Sequence, residues 1–265
     1  MATTKKVTKV SGGTSSAPEK VTRTFVPTPE SKAKATQLRI IAVILWILGI
    51  AAEAGAIVVL IKSAKPLVTA TWIWMIGLIV VDLILVIIGS QLWKKSNRLD
   101  PASKKETVKF FVQNQLGVII SVIAFLPLVI LIFTNKDLDG KSKGILGGIA
   151  AIALIAAGLS SADWNPPSIE EYAEQTNRVE WLKGSDEVYW TKSGSVYHLY
   201  DDCSHINSVR TDEIFEGTVA QARELKNITN LCKTCEKRII KERELNEADY
   251  VPTATPVIDD ETLTD

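Results

Sequence analysis

Residues 40–61 read IIAVILWILGIAAEAGAIVVLI, twenty-two positions with one charged side chain, Glu53. A helix of that length is about 33 Å long, enough to cover the roughly 30 Å hydrocarbon core of a bilayer. Three further apolar runs follow at about 71–93, 110–133 and 145–162. The last is the shortest and is rich in Ala and Gly. The pattern predicts an α-helical transmembrane bundle of four spans over residues 39–162. Pro66 helps end the first span, and Pro127 predicts a kink in the third. Gly144-x3-Gly148, with Ala150 and Ala151, predicts close approach of a neighbouring helix. Trp72, Trp74 and Trp93 stand near span ends, where amphipathic rings favour the interface. Gln113, Asn114 and Gln115 at the start of the third span are assigned to the same interface.

The 265 residues have a formal net charge of zero, which hides an asymmetry. From residue 163 onward there are 22 Asp/Glu against 11 Lys/Arg; before it there are 8 against 19. Residues 1–38 are polar, contain Ser11-Gly12-Gly13-Thr14-Ser15-Ser16-Ala17-Pro18, and show no sustained apolar period. They read as a disordered basic arm with no cleavable signal peptide, acting as a topology signal or attracted to anionic lipid head groups. The second link carries Lys94, Lys95, Arg98, Lys104, Lys105 and Lys109. The first holds Lys62 and Lys65, and the third Lys136, Lys141 and Lys143. By the positive-inside rule the N-terminus is cytoplasmic, and four spans return the C-terminus to the same side.

Beyond the spans, residues 163–186 read as a linker and an amphipathic helix, with Ser168 and Glu171 at capping-box spacing. Two strands, at about 187–191 and 195–199, form a hairpin around Ser193-Gly194. A short helix is expected at 217–226 and a charged one from Cys232 to about 246, ahead of an acidic disordered tail, 247–265. All three cysteines and both histidines lie within residues 198–235. His198-x4-Cys203 and Cys232-x2-Cys235 supply one imidazole and three thiolates, the donor set of a structural zinc site. His205 is a substitute ligand. An odd cysteine count is a poor disulfide framework, and a reducing compartment suits thiolate ligation. A thioredoxin-like reading of the C-x-x-C is weaker, since no βαβ pattern precedes it.

Residues 188–198 (VYWTKSGSVYH), Cys203, residues 217–222 (GTVAQA) and residues 231–235 (LCKTC) together resemble the small Ada-like zinc-binding module found appended to various bacterial proteins. The resemblance covers about residues 187–240. It implies a compact α/β fold with a structural zinc held by His198, Cys203, Cys232 and Cys235, within a module spanning 187–246. It does not imply methyl transfer: the repair chemistry of Ada uses an all-cysteine site, whereas one ligand position here is His198, and no Pro-Cys-His-Arg motif is present. Acids and bases balance between residues 187 and 241, which argues against a DNA-binding surface.

Glu53 and Asp82 fall inside the first and second spans. No Lys or Arg lies within the spans to pair with them, and a carboxylate in hydrocarbon is costly. They are a candidate intramembrane proton or cation site, or else two acids hydrogen-bonding helix to helix. Asn227-Ile228-Thr229 has the glycosylation pattern, which carries no meaning on a cytoplasmic domain. No phosphate loop, Ser/His/Asp set or nucleophile elbow is present. The expectation is a non-enzymatic, membrane-anchored binding or scaffold protein with a protein partner at the cytoplasmic face. A small ion-coupled transporter or sensor and a membrane-tethered nucleic-acid factor are the alternatives.

Overall fold

A computed structural model describes residues 6–9, 26–63, 67–226 and 228–252. The remainder of the basic arm, Lys65 and Pro66, Asn227 and the acidic stretch 253–265 lie outside the described residues. The chain divides into two compact units, Pro27–Pro166 and a second made of Pro167–Asp265 with Met1–Val26.

The first unit is four helices: α1 (Pro29–Lys62), α2 (Thr69–Leu99), α3 (Thr107–Thr134) and α4 (Gly140–Ser161). Each is long and apolar enough to cross a membrane. Their apolar residues do not all turn inward. Trp46, Leu60, Met75, Val86, Phe125 and Leu146 are buried in the bundle, whereas Ile40, Ile47, Ile73, Ile84, Ile130 and Ile152 are exposed. A helix apolar on all sides needs an apolar surrounding on its outer face as well.

Helix α1 starts eleven residues before the predicted span, inside the stretch read as disordered. The local chemistry accounts for the earlier start. Thr28 accepts a hydrogen bond from the Ser31 N–H at 3.1 Å, with a Pro at the helix start and Glu30 in the first turn. This is a built N-cap. The extension is tied to the bundle: the Ser31 hydroxyl donates to the Leu99 carbonyl at 3.0 Å, and Arg39 pairs with Asp100 at 2.7 Å.

The same end of the bundle holds the other polar links. Gln91 and Lys94 donate to the Ser160 carbonyl at 2.9 and 2.7 Å, satisfying the last turn of α4. Trp93 and Asn97 both donate to the Gln113 carbonyl, Gln113 donates to the Asp100 carbonyl, and Gln115 to that of Asp163. Asn114 is buried beside Asn97. Trp93 and residues 113–115 therefore join helices to each other and to the loops, a role the interface assignment did not anticipate.

The close helix approaches also differ from the expected ones. Among the described residues nothing lies within 4 Å of where a Cβ on Gly144 or Gly148 would stand. A Cβ on Gly147 would meet the Phe133 ring at 2.5 Å, and one on Gly89 would stand 2.7 Å from the Trp46 Nε1 and 3.1 Å from the Ala42 carbonyl oxygen. Trp46 is buried, so it has little room to withdraw.

The second unit combines β1 (Lys6–Lys9), α5 (Ile169–Lys183), β2 (Val188–Thr191), β3 (Val196–Tyr197), β4 (Glu213–Gly217), α6 (Val219–Lys226), β5 (Asn230–Leu231) and α7 (Lys233–Glu242). One sheet has the order β1-β4-β2, and β3 pairs in parallel with β5. The predicted hairpin is present: Tyr189 and His198 exchange both backbone hydrogen bonds, at 2.8 and 2.7 Å. Helix α5 begins where its capping residue places it, with Ser168 accepting from the Glu171 N–H at 3.1 Å. It is part of the module rather than of a linker. Arg178 on α5 pairs with Glu236 on α7 at 2.9 Å. Buried Arg223 on α6 donates to the Tyr172 carbonyl and to Gln175, its guanidinium over the Tyr172 ring.

Two expected boundaries move. The stretch assigned to a disordered tail from residue 247 begins with an ordered 3-10 turn, Glu247–Asp249. The Tyr250 ring then lies 5.1 Å from that of Trp181, and its hydroxyl donates to Glu174. Residues 6–9, assigned to the disordered arm, form a strand parallel to β4.

A paired substitution tests the bundle. Gly89→Ala, which drives a methyl into Trp46 and the α1 backbone, lowers stability by about 1–3 kcal/mol as overpacking does. Gly144→Ala meets open space and gains helix propensity, so it is neutral or stabilising. Thermal denaturation of the detergent-solubilised protein reads both; equal melting temperatures would show that the Gly89 contact is not tight.

Candidate metal centre

Three of the four predicted ligands are delivered by two backbone devices. The first is the β3–β5 pair. His198 directly follows β3, Cys232 directly follows β5, and the Cys232 N–H donates to the Tyr197 carbonyl at 2.9 Å. This places the first imidazole and the first C-x-x-C thiol side by side. The second is the start of α7. Cys232 occupies the N-cap position and Cys235 sits in the first turn, where the helix dipole and free N–H groups favour thiolate. Cys203 enters from the loop after β3. Its carbonyl accepts from the N–H groups of Ile206 and Asn207, at 2.9 and 2.7 Å, which folds the loop back on itself.

The ligand atoms of His198, Cys203, Cys232 and Cys235 all lie within 4.8 Å of one another, and all four residues are buried. His198 Nδ1 stands 3.6 Å from the Cys235 sulfur. A tetrahedral ion with metal–sulfur bonds of about 2.3 Å and a metal–nitrogen bond of about 2.05 Å sets those atoms about 3.6 Å apart. The donor set and spacing can therefore hold one metal ion. His205 lies outside the cluster. It is exposed, its ring centroid is 6.4 Å from that of His198, and its Nε2 is 3.1 Å from the Thr234 hydroxyl.

Burial sets the protonation of the metal-free site. It pushes the His198 imidazole down to about 4, so the ring is neutral and able to donate a lone pair at neutral pH. Burial pushes the Cys235 thiol up to about 12, although the Leu199 N–H pulls the other way. That thiol releases its proton when a cation arrives.

A clamp not evident from the ligand pattern closes the Cys203 loop over α7. The guanidinium of Arg238 lies 4.0 Å from the centroid of the Tyr200 ring, pairs with Asp202 at 2.7 Å, and bonds Glu242 at 2.8 Å. The Tyr200 hydroxyl donates to Glu242. The only sequence trace of this clamp is the i, i+4 spacing of Arg238 and Glu242.

The two intramembrane candidates belong to the helix unit. Glu53 and Asp82 are both buried. One Glu53 carboxyl oxygen accepts from the Leu128 N–H at 3.2 Å, next to Pro127. Asp82 packs where Gly49 leaves room: a Cβ there would come within 2.7 Å of its Oδ1. Gly49 is one helical turn from Glu53, so both acids face the same side of α1. Among the described residues the Asp82 Oδ1 has no hydrogen-bond partner.

Comparison of the chain with protein-family models, with curated proteins and with solved structures gives no match.

Titrating the metal-free protein with a divalent cation in weak buffer releases protons, and Cys235→Ser reduces that release. Because protons compete for the thiolates, metal occupancy is full at neutral pH and lost as pH falls. Potentiometry together with metal analysis across pH checks this; release unchanged by Cys235→Ser would remove Cys235 from the ligand set.

Proposed function

We propose that this chain is a four-span integral membrane protein whose cytoplasmic module is built on a structural zinc ion and serves as a membrane-anchored docking unit for a protein partner. The observation that carries this reading is the closed, buried His/Cys/Cys/Cys cluster in the same chain as four helices with apolar outer faces. Zinc fits three thiolates and one imidazole in tetrahedral array. The full complement of protein ligands argues for a folding role and against metal-assisted hydrolysis, which needs an open position. The Ada-like resemblance supports the same assignment. The basic residues at the end of the bundle that holds the α2–α3 link support a cytoplasmic placement of both termini. The even charge balance of residues 187–241 argues against nucleic acid as the main partner.

The purified full-length protein in detergent carries one zinc per chain by elemental analysis. Cys232→Ser loses the zinc and the protease resistance of residues 167–252, yet stays in carbonate-washed membranes. Zinc-free protein with a protease-resistant module would reject the structural-zinc reading. Extraction by carbonate would reject the integral-membrane reading.

A second reading is favoured by the partnerless, buried Oδ1 of Asp82 beside Glu53. In it, the pair binds a proton or a monovalent cation in a transport or sensing cycle. In proteoliposomes, Glu53→Gln with Asp82→Asn abolishes any ion-dependent flux that the unaltered chain shows; flux unchanged by the double substitution would end this reading.

A further inference from the structure

The N-terminal strand gives the module an interaction surface. In the sheet order β1-β4-β2, β4 is central only because β1 covers it. Without β1, one side of β4 is a sheet edge whose backbone N–H and C=O groups are a template for an extended segment. The occupant is only four residues long, is parallel to β4, and is separated from it by some two hundred residues of chain. No tight turn enforces the pairing, as a turn would in a hairpin.

The register shows what the edge selects. Lys6 stands opposite Glu213 and Lys9 opposite Glu216, with Val7 opposite Ile214 and Thr8 opposite Phe215. In this register two Lys/Glu positions flank two positions at which a β-branched residue stands opposite an apolar one. The region from residue 163 onward carries twice as many acids as bases, so a basic segment is the matching ligand. Four residues of ladder give weak intrinsic affinity. Belonging to the same chain, the segment pairs intramolecularly, which raises its effective concentration over that of a free peptide.

We propose that the outer edge of β4 is a strand-docking site for an extended segment with basic residues flanking two β-branched ones, and that the chain's own Lys6–Lys9 occupies it in cis as an exchangeable plug. A partner bearing such a segment binds only by displacing this plug. One consequence rests on the membrane reading above. Lys9 precedes α1 and Glu213 follows α4, so their pairing puts both on one side of the membrane. The number of crossings is then even, and the short α4 crosses with the others.

The test uses the full-length protein and a version lacking residues 1–12, both in detergent, with a fluorescent peptide of residues 1–12 as the probe. The truncated protein binds the peptide at least tenfold more tightly than the full-length protein. A peptide with Lys6→Glu and Lys9→Glu loses at least tenfold on the truncated protein and regains it on a Glu213→Lys, Glu216→Lys background. Equal binding to both proteins, or indifference to the charge swap, overturns the proposal. If the truncated protein does not fold, hydrogen exchange on the intact chain decides. Lys6→Glu with Lys9→Glu accelerates exchange in residues 213–217 at least tenfold while α7 is unchanged; unchanged exchange in β4 overturns the docking. Tags at the two termini, probed from outside intact cells, report the crossing number separately, so failure of the membrane reading is distinguishable from failure of the docking.

Discussion

The convergence of one imidazole and three thiols on a single point organises the C-terminal module. Its strands are short: β3 and β5 have two residues each. Ladders of that length do not define a sheet by themselves. On the zinc reading, what fixes them is that His198 and Cys232, immediately after each strand, reach the same centre as Cys203 and Cys235. A structural zinc contributes on the order of 10–16 kcal/mol in zinc-finger peptides, more than the net stability of many small domains. The apolar residues Trp190, Tyr197, Leu199 and Ile239 pack in one buried cluster with Cys203, Cys232 and Cys235. The Arg238 clamp acts at the periphery. It holds the Cys203 loop down but is exposed to solvent, and such pairs contribute little individually.

The helix unit follows a different constraint. Its side chains are apolar inside and out, so hydrophobic contrast does not tell one helix face from another. Specificity comes from small residues and from polar links. Gly49, Gly89 and Gly147 admit Asp82, Trp46 and Phe133 respectively. At the other extreme, Arg39–Asp100 and the Gln91, Lys94 and Asn97 side chains bind loop and helix-end carbonyls. These links gather at the end where α1 begins and α4 finishes, whereas the acids Glu53 and Asp82 are buried deeper in the bundle.

Much of this was legible in the sequence. The four helices follow from run length, and the clustering of His198, Cys203, Cys232 and Cys235 from residue type and spacing. Cap chemistry gave the start of α5, because Ser168 and Glu171 are three residues apart. The start of α1 was missed because a polar stretch suggests disorder, although Thr28-Pro29-Glu30 is a helix-start signal in its own right. The close glycines were misplaced because Gly144-x3-Gly148 matches a pairwise motif, whereas contact depends on which face meets Phe133, and that is a tertiary fact. The strand at Lys6–Lys9 was not legible at all. Four residues of mixed polarity form a strand only when β4, distant in the chain, offers an edge. The Arg238 clamp was hidden for the same reason, since Tyr200 and Asp202 carry no local signal for it.

The most direct test of the metal centre is X-ray absorption at the zinc edge on the purified full-length protein. Three sulfurs at about 2.3 Å and one nitrogen at about 2.05 Å, with no further oxygen, are the predicted first shell. Two sulfurs, a bound water, or no zinc at all would contradict a closed structural site built from His198, Cys203, Cys232 and Cys235.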